Sequence, residues 1–281
     1  MIVVTGATGN VGRTLVRLLA GAGEEVTATS RGITDADVPQ GVRARRSDLT
    51  DAGSLRPLLD GADALFFQSG GAAAHLLDPQ GILDAAKAGG VRRVVLLSSQ
   101  GVATRPDSVS HGQVARTIED AVRGSGLDWT ILRPGGFASN TYAWAGSVRA
   151  ARTVAAPFGD VGLPVIDPDD IAAVAAATLR EDGHAGRVYE LTGPVLVTPR
   201  QQAAAIGEAL GEPVRFAEWT RDEARERMLA FMPEDVVETT LEILGEPTER
   251  ERTVSPDVER VLGRPAAPFA AWAHRNAAAF R

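Results

Sequence analysis

Three glycines, Gly6, Gly9 and Gly12, recur at every third position of Thr5-Gly6-Ala7-Thr8-Gly9-Asn10-Val11-Gly12. The run follows the apolar stretch Ile2-Val3-Val4. It opens onto a segment whose Val11, Leu15, Leu18 and Leu19 repeat with helical spacing. In that register each glycine has a task. Gly6 permits a tight turn. Gly9 lets the backbone approach a pyrophosphate where any Cβ would collide, and Gly12 lets the helix pack closely on the strand. The phosphates then meet free N–H groups and the positive dipole end of the helix. Thr8 and Asn10 can add side-chain hydrogen bonds, and Val11 completes the contact set. A plain glycine turn is the competing reading, and the strand before and helix after weigh against it.

The end of the second strand bears on which dinucleotide such a loop would hold. NAD sites place an acid there for the ribose 2′-hydroxyl. Here the strand ends Ala28-Thr29-Ser30-Arg31, and Glu24 and Glu25 lie at its other end. Arg31 can fork onto a 2′-phosphate and Ser30 can donate to it, so the expected cofactor is NADP(H). Asp48, after the third strand, can accept from the adenine amino group or cap the turn before Asp51; both readings stand.

Other chemistries are excluded or weakened. The chain of 281 residues has no cysteine, so thiolate nucleophiles, thiolate metal sites and disulfides are absent. Its four histidines, His75, His111, His184 and His274, are too scattered to suggest a metal site. A formal charge of −7 argues against nucleic acid as a partner. No apolar run is long enough to cross a bilayer, and the N-terminus lacks a basic leader, so a cytoplasmic protein without membrane attachment is expected. The chain has one lysine, Lys87, and two tyrosines, Tyr142 and Tyr189.

The elements that must position the loop alternate along the chain. Strands are predicted over 2–4, 25–29, 42–45, 64–67, 93–97, 129–132 and 187–191, and helices over 11–22, 51–59, 76–88, 111–123, 171–179, 198–210 and 220–231. That rhythm predicts an α/β fold of the Rossmann type, a doubly wound parallel sheet with a small C-terminal α/β lobe. The core would span 1–135, with 163–192 returning to the sheet. Residues 136–162 and 193–281 would form the lobe on the substrate side. Asp167-Pro168-Asp169-Asp170 predicts a capped helix start.

Taken in order, Thr5 to Gly12, Val94-Val95-Leu96-Leu97-Ser98-Ser99, Ser125-Gly126-Leu127-Asp128-Trp129-Thr130-Ile131-Leu132-Arg133-Pro134 and Tyr189-Glu190-Leu191-Thr192-Gly193 resemble the atypical short-chain dehydrogenases, in particular the NmrA-like and quinone-reductase-like branch. Phe137, Asn140 and the stretch from Val165 to Ala172 fit the continuation, so the resemblance spans nearly the whole chain. It implies a Rossmann core, NADP(H) binding and a substrate cleft between core and lobe. By position, Gln68, Ser69 and Gly70 would line the nicotinamide-ribose side. Ser98 and Ser99 would face the reacting ring, and Pro134, Gly135 and Phe137 would pass over it.

The chain departs from the wider family's Tyr-x-x-x-Lys dyad. Gly146 stands four residues after Tyr142, and Gly193 four after Tyr189. Relatives often carry a basic residue three positions before a glutamate on the helix after the fifth strand, and Arg116 with Glu119 fits that pattern. Arg116 can bind ribose or stabilise charge, or it can simply pair with Glu119 along the helix; it cannot donate a proton. Ser98, Ser99 and Arg116 are therefore the catalytic candidates. His111 and His75 are either general acids or exposed loop histidines. Three functions remain open. The first is an NADPH-dependent reductase of a small carbonyl, enone or quinone-like compound. The others are an NADP(H) redox sensor reporting to a protein partner, and a non-redox enzyme of specialised metabolism that keeps the cofactor pocket. The expected partner is a small-molecule substrate, aromatic or quinone-like, and the chain a monomer or homodimer.

Overall fold

The structure, a computed structural model, describes residues 1–68 and 74–281. Seven strands form one parallel sheet: β1 (Ile2–Thr5), β2 (Val26–Ser30), β3 (Arg43–Arg46), β4 (Ala64–Gln68), β5 (Arg93–Leu97), β6 (Asp128–Pro134) and β8 (Arg187–Leu191). Their order is β3-β2-β1-β4-β5-β6-β8. Chain direction across the sheet reverses between β1 and β4, and open α/β sheets bind ligands at the strand C-termini beside such a reversal. Val3 pairs with Thr27 on one side and Leu65 on the other, which brings the ends of β1, β2 and β4 level.

Strand alternation sends side chains to two cores. Val4, Phe66, Val95 and Leu132 face α1 (Gly12–Gly21) and α7 (Pro168–Arg180). Val3, Leu65, Phe67, Leu96 and Ile131 face α2 (Ala52–Leu59), α3 (Pro79–Ala88) and α5 (Val114–Gly124). The central strands are apolar on both faces because helices cover both.

Helix starts follow local chemistry. Asp78 accepts from Gly81 N–H at 2.9 Å and Pro79 takes the first position, so α3 begins at Pro79 after a separate turn, Ala74–Leu76. The helix expected from residue 111 begins at Val114. A π turn, Val109–Gln113, precedes it, and Ser108 accepts the His111 N–H at 3.2 Å. A short helix, α4 (Gly101–Thr104), follows β5. Asp167 caps α7 by accepting from Asp169 N–H, as its sequence predicts.

A second sheet pairs β7 (Thr153–Pro157) with β9 (Arg215–Trp219) in parallel. Neither strand is predicted from sequence, since both are short and β9 carries Arg215 and Glu218. α6 (Ala145–Ala151), α8 (Pro199–Leu210) and α13 (Phe269–Arg275) surround this sheet with a core of Val148, Val154, Ile206, Phe269, Trp272 and Phe280. α9 (Arg221–Leu229) and α10 (Glu234–Gly245) pack together over Ala224, Val237 and Leu241. α11 (Glu249–Arg252) and α12 (Asp257–Leu262) lead back to the large sheet, where Val258 and Ala266 join its core. Two buried carboxylates at the start of α7 hold the tail. Asp167 pairs with Arg275, and Asp170 with Arg264 at 2.8 Å. Among the described residues no helix is long and apolar enough to cross a membrane.

Candidate functional site

The loop between β1 and α1 is shaped by its glycines. Gly6 has φ +63°, and a Cβ on it would lie 1.7 Å from Gln68 Oε1. Gly12 packs so closely that its Cβ would meet the Gly6 carbonyl oxygen at 2.2 Å. Gly9 differs. It is exposed, and the one neighbour its Cβ would meet is the Gly6 carbonyl oxygen at 3.2 Å. The fold excludes a side chain at Gly6 and Gly12, whereas at Gly9 it leaves open space over the α1 N-terminus.

Two cavities meet at this loop, sharing Gly6, Gly9 and Gln68. The larger, about 420 Å³, runs over the ends of β1 and β2 and takes in Thr8, Ser30, Arg31 and Asp48. Thr8 Oγ1 donates to Ser30 Oγ at 3.1 Å, joining the loop to β2. Asp48 Oδ1 accepts from the Thr50 N–H at 3.0 Å and the Thr50 hydroxyl at 2.9 Å. Those two bonds, with the Arg31 charge adding, hold its carboxyl below the usual aspartate range. The turn-capping reading of Asp48 is thus realised through Oδ1, on a residue that also lines the cavity. Arg31 is exposed at the cavity mouth.

The smaller cavity, about 270 Å³, is lined by Asn10, Val11, Leu97, Ser98 and Phe137 beside the shared residues. Asn10 Nδ2 donates to Ser139 Oγ at 3.1 Å, which ties the loop to the segment after β6. Phe137 reaches the cavity because its neighbours are pinned: Gly135 N–H donates to the Leu191 carbonyl, and Ala138 N–H to that of Ile166. Pro134 is buried, and its carbonyl accepts from Gln100 N–H at 2.9 Å. Pro134 and Gly135 therefore extend the sheet pairing, while Phe137 forms the wall. Ser69 and Gly70 lie outside the described residues.

Beneath Ser98 sits a charged network. Glu119 is 1% exposed. Its Oε1 accepts from Ser98 Oγ at 2.7 Å and from Arg133 Nε at 2.8 Å; its Oε2 accepts from Arg133 Nη2 at 2.5 Å and from Arg123 at 3.1 Å. Burial opposes ionisation of Glu119. Hydrogen bonds from Arg133 and Ser98 outweigh it, with the Arg133 charge, and hold the carboxyl below the usual glutamate range. The expected Arg116–Glu119 pair does not form. Arg116 is exposed and donates to the Val102 carbonyl at 3.1 Å, because β6 and the far end of α5 bring two better-placed arginines to Glu119. One signal for this was legible: Glu119 falls on the apolar face of α5 with Ile118 and Val122. Its partner Arg133 is 14 residues away in sequence and needs the fold to be found.

The remaining candidates are distributed as follows. Ser99 Oγ accepts the Gly101 N–H at 3.1 Å, so Ser99 and Arg116 both brace α4. His111 is half-buried beside Ser110 at 2.9 Å; burial, and secondarily Arg105, lower its pKa. His75 is exposed. Tyr142 donates to Asn276 Oδ1 at 2.6 Å, stacks on Phe280 and meets Trp272 at a tilt; burial, with the Asp169 and Asp167 charges, raises its pKa.

Residues 6–182 match a protein family described as NAD(P)H-binding. The chain belongs to that family. It is an oxidoreductase of the atypical short-chain dehydrogenase type, and curated relatives match it end to end. A (4-alkanoyl-5-oxo-2,5-dihydrofuran-3-yl)methyl phosphate reductase of Streptomyces griseus is 39% identical, covering 100% of this chain and 99% of that protein. An NAD(P)H azoreductase of Xenophilus azovorans is 33% identical, covering 100% and 99%. Among solved structures, an NADPH-dependent quinone oxidoreductase of Escherichia coli complexed with NADPH superposes with a TM-score of 0.80 at 24% identity, covering 98% of this chain and 99% of that one.

The residues present fit an NAD(P)H. The open approach at Gly9 and the free start of α1 suit a pyrophosphate, and a cavity on each side suits the two nucleosides. If Arg31 binds the 2′-phosphate, Arg31→Ala weakens NADPH binding by about 1.5–3 kcal/mol, roughly tenfold or more, and leaves NADH unaffected. Titration calorimetry with both dinucleotides checks this; an equal loss for both removes Arg31 from that role.

Proposed function

We propose that the protein is an NADPH-dependent reductase of small, electron-poor conjugated acceptors such as quinones and enones. The observation that carries this reading is the makeup of the smaller cavity. It offers apolar walls, Leu97 and Phe137, and polar but weakly acidic groups, Asn10, Gln68 and Ser98. Flat conjugated rings suit such walls. The relatives' names point the same way, since a quinone, an azo bond and an oxo-dihydrofuran all accept electrons through conjugation.

Among the described residues, no side chain on these walls is built as a strong proton donor. The Ser98 proton goes to Glu119; Tyr142, paired with Asn276, and His111, whose pKa burial lowers, are not among the residues lining either cavity. Acceptors whose reduced form takes its proton from water tolerate that arrangement; a simple ketone needs acid assistance at the developing alkoxide. When bound, the reduced nicotinamide supplies a hydride, two electrons in all, and one proton from water completes the product. The chain's own work is positional. The glycine loop anchors the pyrophosphate at the middle of the cofactor and Arg31 selects NADPH. Phe137 and Leu97 exclude water from the ring face, and Ser99 and Arg116 support α4 beside Ser98. The lobe built around β7 and β9 would wall the substrate side.

The test is NADPH consumption against quinones, enones and saturated ketones. Quinones and enones should turn over and saturated ketones should lag. Tyr142→Phe should keep most of the rate, because its hydroxyl is spent on Asn276. Tight NADPH binding with background consumption for every acceptor would replace the reductase by the sensor.

A further inference from the structure

We infer that Ser98 serves the cofactor as a hydrogen-bond acceptor, taking an N–H from the nicotinamide carboxamide, and is not a donor to substrate. The inference rests on the proposed site and deepens it. Ser98 lines the smaller cavity, and its hydroxyl proton is engaged by Glu119 Oε1 at 2.7 Å. A hydroxyl has one proton and two lone pairs. With the proton engaged below, what Oγ shows the cavity is lone pairs.

Reversing that hydroxyl is unfavourable. Glu119 is buried and ionised, and an ionised carboxylate is a far better acceptor than a ligand carbonyl. The carboxylate is itself clamped, by the two-pronged Arg133 contact and by Arg123, so it cannot swing away. The serine backbone is equally fixed, its N–H donating to the Leu132 carbonyl at 2.8 Å. Glu119 is thus a positioning residue that sets the polarity of Ser98.

Ser98 follows Leu97 directly at the end of β5, and both line the cavity. An apolar ring held against the Leu97 and Phe137 walls would bring its polar substituent to the adjacent Ser98. That substituent is an amide, whose NH₂ supplies the donor that Ser98 lacks. The arrangement reads the ring's identity through one bond and orients it about its glycosidic axis.

The probe is 3-acetylpyridine adenine dinucleotide phosphate, in which a methyl ketone replaces the carboxamide. Calorimetry should show the wild type binding NADP⁺ roughly three- to tenfold more tightly than this analogue, the range for one neutral hydrogen bond. In Ser98→Ala the two should bind about equally, within twofold. Ser98→Thr keeps the hydroxyl and should restore the preference. 2′,5′-ADP, which lacks the nicotinamide half, should bind wild type and Ser98→Ala alike, showing that the loop is intact. A preference that survives in Ser98→Ala, or a variant that loses both dinucleotides equally, overturns the acceptor role. Failure of the wild type to bind either dinucleotide would instead strike the proposed site itself.

Discussion

Replacing Gly9 with valine is expected to remove NADPH binding while the protein stays folded. Gly9 is exposed, lies outside the left-handed backbone region, and would put its Cβ 3.2 Å from one carbonyl oxygen. The apo fold absorbs that with a small shift. A pyrophosphate seated on the α1 N-terminus does not, because it needs the backbone N–H groups at contact distance. The expected loss is on the order of a hundredfold or more in affinity, above 2.7 kcal/mol. Gly12→Val is the contrasting case. Its Cβ would stand 2.2 Å from the Gly6 carbonyl oxygen, so it should lower thermal stability as well. Calorimetric titration and thermal melts of both variants separate the two effects. Unchanged NADPH affinity in Gly9→Val would mean that the phosphates bind elsewhere.

The second large effect concerns stability. Glu119→Leu strips Arg133, whose side chain is 14% exposed, of the carboxylate it is hydrogen-bonded to, leaving the more weakly acting Glu190 as its nearby charge. Breaking a buried pair from one side typically costs about 3–5 kcal/mol. Pairing the change with Arg133→Met should recover much of that loss, because the penalty comes from the stranded charge more than from the missing attraction. Denaturant unfolding of the two variants measures this, and a loss well below 1 kcal/mol in Glu119→Leu would show the pair to be dispensable. The pH dependence has a definite sign. The native Glu119 carboxyl is held below its usual value, so its contribution is present above the unfolded pKa of ~4.3 and is lost as pH falls through the native value. The stability gap between wild type and Glu119→Leu should therefore narrow in acid.

The glycine-loop half of the candidate site was legible because its geometry is local. Gly6, Gly9 and Gly12 do their work within one turn of chain, and the β1–α1 register that gives them meaning is visible in the hydrophobic pattern on either side. Arg31 is read from its place one residue past a strand end. The catalytic candidates were less legible. Ser98 and Ser99 are adjacent and chemically identical, yet one lines the cavity and the other braces α4, because the chain turns into a short helix between them and Thr104. Arg116 and Glu119 look like a helix pair, but a buried carboxylate takes the partners nearest its oxygens, and those come from β6 and the next turn of α5. The two-residue pattern could not show that, since both arginines compete on distance and only packing fixes the distances.

By itself, then, the amino-acid sequence determined the parallel sheet, the glycine loop between β1 and α1, the absence of a Tyr-x-x-x-Lys dyad and the family. The first three depend on periodicity or on spacing along a few consecutive residues, and the family on a resemblance that runs through nearly the whole chain. Tertiary structure decided the second sheet, whose strands β7 and β9 are five residues each, lie far apart in sequence and find each other only in the fold. It also decided the docking of the tail through Asp167 and Asp170, and the direction of the Ser98 proton. All three rest on contacts between groups distant in the chain, where burial makes an unpaired charge or hydroxyl costly and the nearest partner, whatever its position in sequence, prevails.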